Sequence, residues 1–149
     1  MIPALLIGRG GSTGFAGKNV YPVLGRPLMA YPLLAAQAST YVDNLYISTD
    51  SAEIRKIGAD YGAEYIARPP ELCTNLALGE DAFKHGCEVI RDRLADEGES
   101  LELIVLLFAI APTASGQLID EGIEALRKNS NLDSAVTISC YNMWSPLWA

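Results

Sequence analysis

The first 42 residues contain neither aspartate nor glutamate, although the whole chain of 149 residues has 18 acidic residues and a net charge of −7. Their only charged side chains are Arg9, Lys18 and Arg26, so this stretch carries +3 and the rest of the chain −10. The acidic remainder argues against nucleic-acid or anionic-membrane partners, because both need broad positive surfaces. A small cationic island favours a compact anion instead, such as the phosphates of a nucleotide.

Cysteines and long apolar runs are also scarce. Cys73, Cys87 and Cys140 are widely spaced and form no C-x-x-C pair, which is typical of reduced packing residues in a cytoplasmic protein. The N-terminal apolar run is too short for a signal peptide, and the apolar run 101–112 is about half of a membrane span. We therefore expect a cytoplasmic protein without membrane segments.

Short apolar runs alternate with amphipathic segments along the chain. Strands that alternate with helices form βαβ units, so the order predicts a three-layer αβα fold with a mainly parallel, Rossmann-like sheet. The nearly continuous apolar run 101–109 predicts a fully buried central strand. The predicted strands are 4–7, 44–48, 63–67, 101–109 and 133–139, the predicted helices are 28–39, 51–62, 79–94 and 116–129, and 95–100 is a polar loop.

Local signals refine these helices. Pro32 is expected in the first turn of the helix at 28–39, because proline interrupts a helix interior. Asp50 predicts the N-cap of the helix at 51–62, with Glu53 completing a capping box, although Asp50 could also face a nucleotide or a metal. The helix at 79–94 has one apolar face, formed by Phe83, Cys87, Ile90 and Leu94.

A glycine-rich segment follows the first predicted strand, at the carboxyl end where open parallel sheets bind their ligands. Glycines allow close approach of a ligand to the backbone, and their free N–H groups can form an anion nest. Arg9 adds a planar fork and Lys18 a point charge. The segment predicts a phosphate-binding loop, with a plain flexible connection as the alternative; its glycines are Gly8, Gly10, Gly11, Gly14 and Gly17.

Two familiar phosphate-binding motifs do not match this loop. A P-loop needs glycine where Ser12 stands before Gly17-Lys18, and a dinucleotide fingerprint that starts at Gly8 needs glycine where Thr13 stands. The loop therefore predicts phosphate binding without specifying the base.

The string RGGSTGFAGKN, followed by LGRPLMAY, resembles the nucleotide-binding signature of the acylneuraminate cytidylyltransferases, which include the CMP-sialic acid synthetases. The segments YISTDSAEI and ARPPELCTN are similar to two further segments of that family, and their order and spacing hold over 1–80. The resemblance implies a sugar-nucleotidyltransferase fold and transfer of CMP from CTP to a sialic acid-like or deoxyoctulosonic acid-like sugar, with release of pyrophosphate. It also implies Mg²⁺ as cofactor and a homodimer, and the apolar composition likewise favours an oligomer.

The resemblance also implies roles for individual residues. Arg9, Ser12 and Lys18 match phosphate-contacting residues, Asn19 matches a residue near the cytosine, and Arg68 matches a nucleotide-binding arginine. Arg9 and Lys18 take the catalytic role, because positive groups stabilise charge that moves onto pyrophosphate. The whole predicted nucleotide site is Arg9, Gly10, Gly11, Ser12, Lys18, Asn19, Arg68 and Asn75, and no metal ligand is identified.

Several positions depart from the family pattern. Ala16 replaces a proline of the loop, Asn75 replaces an aspartate, and LLFAIAPTASG keeps only Pro112 of a polar family segment. Family members are usually longer, so 1–149 is expected to be a single nucleotide-binding α/β domain that lacks their C-terminal part. Two alternatives stay open: an inactive nucleotide-binding or assembly module, and a sugar nucleotidyltransferase that uses UTP or GTP.

Other polar and aromatic side chains have ordinary structural explanations beside functional ones. Glu71 is either a general base or a surface carboxylate, and Asn75 either touches the ligand or caps a helix. For His85, a solvated helical histidine is favoured over a catalytic one. The aromatic residues near the C-terminus form a sugar platform or pack against protein; they are Tyr141, Trp144 and Trp148.

Overall fold

The computed structural model describes residues 1–11, 15–74 and 76–138. Six strands and four α-helices form within these ranges, together with two 3-10 turns at Lys18–Val20 and Pro70–Cys73. The strands are β1 Ala4–Ile7, β2 Pro22–Val23, β3 Arg26–Pro27, β4 Leu45–Thr49, β5 Glu64–Ala67 and β6 Val105–Phe108. The helices are α1 Ala30–Gln37, α2 Ala52–Asp60, α3 Gly79–Asp96 and α4 Gly116–Lys128.

Four strands form a parallel sheet in the order β5-β4-β1-β6, which confirms the predicted mainly parallel α/β fold. β1 lies between β4 and β6, with Leu5 opposite Tyr46 on one side and Leu106 on the other. Strands β2 and β3 form a separate antiparallel hairpin. Because β1 is internal, the loop that follows it leaves from the middle of the sheet's carboxyl edge.

Helices cover both faces of the sheet, which gives the three layers. Ala4 and Leu6 of β1 point to the face that α1, α2 and α4 cover, where Leu33 and Ile54 join the same apolar cluster. Leu5 points to the opposite face, where it packs with Ile90 and Leu94 of α3. This alternation follows from the two-residue period of a strand, and it buries β1 on both sides.

Two helices approach their neighbours so closely that glycine is required. A Cβ atom on Gly86 would lie 2.5 Å from Leu5 Cδ2, so α3 rests almost directly on β1. A Cβ atom on Gly116 would lie 2.6 Å from the backbone carbonyl carbon of Ala38, at the end of α1. The first turn of α4 is therefore fixed against the residues that follow α1.

Three predictions about the elements need correction. The strand expected at 101–109 has only four paired residues and lies at the end of the sheet order, so Phe108 is 54% exposed and the strand is neither central nor fully buried. Residues 133–138 form no strand, with Val136 and Ile138 exposed, and residue 139 lies outside the described ranges. Apolar alternation signals a strand, but pairing with a neighbour decides whether one forms.

The start of α2 is the third correction. Its N-cap is Ser51, whose hydroxyl accepts a hydrogen bond from the backbone N–H of Ile54 at 3.3 Å. Asp50 is not the cap, so Asp50 and Glu53 form no capping box. The other helices and strands lie within a few residues of their predicted places, and Pro32 lies in the first turn of α1 as expected. Helix α3 continues to Asp96, two residues into the predicted polar loop.

Candidate functional site

The glycine-rich loop leaves β1 beside the end of β4. The N–H of Gly8 donates to the backbone oxygen of Ser48 at 3.2 Å and so prolongs the pairing of the two strands by one step. The N–H of Gly10 then donates to Oδ1 of Asp50 at 2.9 Å. A Cβ atom on Gly10 would lie 3.1 Å from Cβ of Ser51, so the loop and the strand end approach closely and a side chain here would require Ser51 to shift.

The returning arm of the loop is fixed by Asn19. Gly17 has φ +71°, a left-handed conformation that favours glycine, and it leads into the 3-10 turn Lys18–Val20. Asn19 is buried, and its side-chain amide donates to the backbone oxygen of Arg9 at 3.0 Å. The backbone oxygen of Asn19 accepts the N–H of Met29 at 2.9 Å. This one residue therefore ties both arms of the loop together and joins them to the start of α1.

Two arginines flank the end of β4. Arg9 Nη1 donates to the backbone oxygen of Thr74 at 3.0 Å, which links the loop to the segment after the 3-10 turn at Pro70–Cys73. Arg68 donates through Nε to the buried hydroxyl of Ser48 at 3.2 Å, and through Nη2 to the backbone oxygen of the same residue at 2.6 Å. Partial burial lowers the pKa of Arg68, and the positive charge of Arg9 adds to this effect while the carboxylate of Asp50 opposes it.

A small cavity of about 30 Å³ opens between the loop and the N-terminus of α2. By this measure it holds only one or two water molecules, so a triphosphate would lie across its mouth or displace its walls. We call it the loop cleft; its polar lining comes from Arg9, Gly10, Lys18, Asn19, Ser51 and Glu53.

The loop cleft gathers four of the eight predicted nucleotide-site residues, namely Arg9, Gly10, Lys18 and Asn19. Arg68 is not in its lining but lies beside it, within the electrostatic influence of Asp50. Gly11 is exposed, with no atom within 4 Å of a Cβ placed there. Ser12 and Asn75 lie outside the described residues, as do Cys140, Tyr141, Trp144 and Trp148. Glu71 is exposed and His85 is half-buried on α3.

Sequence reasoning did not identify three residues that shape this site. Ser48 holds Arg68, Ser51 packs against Gly10, and Thr74 receives Arg9. Ser48 and Ser51 flank the carboxyl end of the strand that pairs with β1, and that position is the signal that could have found them. Thr74 contributes only its backbone oxygen, which no side-chain pattern reveals.

The described ranges contain neither a cluster of metal-ligating side chains nor a membrane-spanning helix. Within 1–11, 15–74 and 76–138, no group of three or more histidine, cysteine, aspartate or glutamate side chains is placed to hold a metal ion. The same ranges contain no helix that combines the length and the apolar character of a membrane span.

Known structures share this fold. The chain superposes on CMP:2-keto-3-deoxy-manno-octonic acid synthetase, solved in complex with CTP, with a TM-score of 0.67 and 14% identity over 88% of this chain and 49% of that one. It superposes on 4-diphosphocytidyl-2C-methyl-D-erythritol synthase from Anaerococcus prevotii with a TM-score of 0.62 and 20% identity, over 96% of this chain and 60% of that one. At these identities the likeness shows a shared Rossmann-like nucleotidyltransferase fold.

Sequence comparison adds closer relatives. The chain is 34% identical to an N-acylneuraminate cytidylyltransferase of Escherichia coli over 91 residues, which cover 61% of this chain and 22% of the relative. It is 27% identical to a pseudaminic acid cytidylyltransferase of Campylobacter jejuni over 132 residues, or 88% of this chain and 53% of the relative. The chain thus spans about half or less of the length of these two relatives. The family model described as Cytidylyltransferase matches residues 3–142, and the chain belongs to the cytidylyltransferase family.

Proposed function

We propose that this chain is the nucleotide-binding part of an enzyme that transfers CMP from CTP to an acidic sugar and releases pyrophosphate. The observation that carries the proposal is the loop cleft, where Arg9, Gly10 and Lys18 converge at the carboxyl end of β1. That location suits a nucleotide in a parallel α/β sheet. Relatives named for N-acylneuraminate and pseudaminic acid point to the same class of acceptor.

The proposed chemistry is attack of the sugar's anomeric hydroxyl on the α-phosphorus of CTP. A bond forms between that oxygen and the α-phosphorus, the bond between the α-phosphorus and the oxygen that bridges to the β-phosphorus breaks, pyrophosphate leaves with that electron pair, and the hydroxyl proton is lost to water. Such reactions depend on positioning and charge stabilisation rather than on covalent chemistry by the protein. Arg9 and Lys18 would supply positive charge, and Gly10, Gly11 and Ser12 would supply donors to the phosphates.

Asn19 and Arg68 take supporting parts in this proposal. The side-chain amide of Asn19 is already bonded to the backbone of Arg9, so a contact with the cytosine would use the side-chain oxygen. Arg68 is bonded twice to Ser48, so it would hold the end of β4 and add positive potential to the site. Asn75 completes the proposed nucleotide site on the strength of the family resemblance.

Mg²⁺, a dimer and a cytoplasmic location belong to the same proposal through the family resemblance. Within the described ranges no three histidine, cysteine, aspartate or glutamate side chains gather to hold a metal ion, so Mg²⁺ would depend on the phosphates of the nucleotide and on water for most of its ligands. Cys73 and Cys87 are free thiols, which agrees with a reducing compartment.

The deciding experiment combines binding with turnover. Calorimetry against CTP, UTP, GTP and ATP should give CTP the highest affinity, and CTP with Mg²⁺ and sialic or deoxyoctulosonic acid should yield a CMP-sugar and pyrophosphate. Preference for UTP or GTP would replace CTP in the proposal, and CTP binding without turnover would favour the inactive module. Lys18→Ala removes a positive charge of the loop cleft and should lower the affinity for CTP. Lys84→Ala is its matched control, because that exposed lysine lies on α3 and outside the loop cleft.

A further inference from the structure

An acidic side chain already occupies one of the backbone donors of the loop. The N–H of Gly10 points at Oδ1 of Asp50, with 2.9 Å between the two heavy atoms. A phosphate-binding loop uses such N–H groups for ligand oxygens, and a carboxylate oxygen is chemically the nearest protein equivalent. The loop therefore holds an anion that the chain itself supplies.

The charges around Asp50 also support its comparison with a bound anion. Partial burial lowers the pKa of Arg68 and the carboxylate of Asp50 opposes this, which places Asp50 within electrostatic reach of that guanidinium. Arg9 is meanwhile bonded to the backbone oxygen of Thr74 and not to a carboxylate. Asp50 thus accepts a backbone N–H of the loop and lies within electrostatic reach of the Arg68 guanidinium, and a phosphate oxygen binds to the same combination of donor and positive charge.

The cap position explains why Asp50 is free to do this. Ser51 accepts the N–H of Ile54 and caps α2, so Asp50 does not cap the helix. Asp50 is exposed, and its carboxylate can therefore swing into solvent without leaving a buried charge. Its bond to Gly10 can be exchanged at low cost, since an exposed hydrogen bond is replaced by one to water.

We propose that Asp50 is a built-in anion that binds the Gly10 N–H of the glycine-rich loop and yields it to a phosphate oxygen of the nucleotide. The inference rests on the proposed function only in taking the loop to bind phosphate. It differs from a positioning role, in which Asp50 would keep its bond while the ligand is bound and would be needed for affinity. It also differs from metal binding, in which Asp50 would matter only with a divalent cation.

Two substitutions separate these roles. Asp50→Asn keeps a similar side chain with an acceptor oxygen but removes the charge, and Asp50→Ala removes both. Under the exchange proposal both variants bind inorganic pyrophosphate and CTP more tightly than the wild type in EDTA, by roughly tenfold for a charge about 4 Å from the ligand. Asp60→Asn is the matched control, because it makes the same charge change at the far end of α2, and its affinity should stay near that of the wild type.

Calorimetric titration at fixed ionic strength measures these affinities. A second readout needs no mutation: in ¹⁵N-labelled wild type, the Gly10 amide resonance should shift when pyrophosphate is added, and the Asp50 carboxyl ¹³C resonance should move with it. A Gly10 shift without an Asp50 shift would overturn the exchange.

Each binding outcome has one meaning. Weaker binding by Asp50→Ala that Asp50→Asn restores would overturn the exchange in favour of positioning. Weaker binding only with Mg²⁺, and no gain in EDTA, would overturn it in favour of a metal ligand. If the wild type binds pyrophosphate but no nucleotide, the proposed function fails, whereas tighter pyrophosphate binding by the variants would still support the exchange. Absence of pyrophosphate binding by all of the proteins would overturn both.

Discussion

The two charged clusters of this protein are built in opposite ways. At the contact between α1 and α4, Asp120 accepts hydrogen bonds from the hydroxyl of Ser39 and from both the N–H and the hydroxyl of Thr40. We call these three residues, together with Gly116 of α4 and Ala38 at the end of α1, the α1–α4 contact. At the loop cleft, by contrast, no carboxylate within the described ranges lies at ion-pair distance from Arg9 or Lys18.

Charges near the α1–α4 contact are also paired. Arg127 forms a two-pronged pair with Glu102, at 2.7 and 2.9 Å, and Lys128 pairs with Glu124 at 2.6 Å. Charged side chains that are paired within the chain are not available to a ligand, whereas positive side chains without an ion-pair partner in the described ranges are available. The comparison assigns stability to the first cluster and supports the anion binding that we propose for the second.

The largest expected effect breaks the α1–α4 contact. Gly116→Ala places a Cβ atom 2.6 Å from the carbonyl carbon of Ala38, and backbone cannot move aside as a flexible side chain can. We expect a loss of about 3 kcal/mol in the free energy of unfolding, at the upper end of the usual cost of overpacking. Urea denaturation followed by circular dichroism measures it.

This variant should lose stability without losing affinity for CTP. At a temperature where Gly116→Ala is still folded, its affinity for CTP should equal that of the wild type, because the substitution is remote from the loop cleft. Gly11→Ala is the matched control for stability, since a Cβ placed there meets no atom within 4 Å. Equal stability of the wild type and Gly116→Ala would show that the α1–α4 contact is looser than the structure has it.

A substitution at the loop cleft should have the opposite pattern, with a larger effect on CTP binding than on stability. Arg9→Ala should weaken CTP binding by about 1–3 kcal/mol, the range for a charge-assisted hydrogen bond. Its cost in unfolding free energy should be smaller, because among the described residues the guanidinium is bonded only to the backbone oxygen of Thr74, and that bond is exposed. Calorimetry on Arg9→Ala and Lys18→Ala, beside Lys84→Ala, tests this. Unchanged affinity in both cleft variants would count against phosphate binding by the loop.

The two clusters differ in how much of them could be predicted from the sequence. The glycine-rich segment after an apolar run placed Arg9, Gly10, Lys18 and Asn19 at one site, because a strand's carboxyl end fixes where its loop lies. The α1–α4 contact gave no such signal, since Ser39 and Asp120 lie far apart in sequence and meet only when the helices pack. Local signals report short-range order, and tertiary contacts decide between equally good local choices.

Asp50 and the strand at 101–109 illustrate that limit. Asp50 and Ser51 are both good N-cap residues, but Ser51 caps α2 while Asp50 accepts the N–H of Gly10, a long-range contact that no local pattern contains. The apolar run at 101–109 reads as a central strand, yet its place in the sheet follows from pairing with β1, which the run itself does not encode.

Acid should expose the difference between the clusters as well. Hydrogen bonds from Ser39, and then from Thr40, hold the pKa of Asp120 below its usual value. A carboxylate with a lowered pKa contributes stability that is fully present above its unfolded-state pKa, about 4, and is lost as the pH falls through the folded value. The melting temperature should therefore fall as the pH drops below about 4.

Substitution isolates this contribution. Asp120→Asn should have a lower melting temperature than the wild type at neutral pH but a smaller further fall in acid. Thermal scans between neutral and acidic pH measure both, with Glu80→Gln on α3 as the matched loss of an exposed carboxylate. Parallel melting curves for the wild type and Asp120→Asn over the whole pH range would contradict the assignment.

The smallest effect is expected at the β2–β3 hairpin, which belongs to neither cluster and so provides a reference. Leu24 at its tip has φ +48°, a left-handed conformation that is costly for a side chain with a Cβ, and it is 92% exposed. Leu24→Gly should therefore stabilise the protein by about 1 kcal/mol, while Gly25→Ala, at φ +81°, should destabilise it. Both variants should bind CTP like the wild type. If Leu24→Gly destabilised the protein instead, the side chain would have to contact protein rather than solvent, and the hairpin could not serve as a neutral reference for the two clusters.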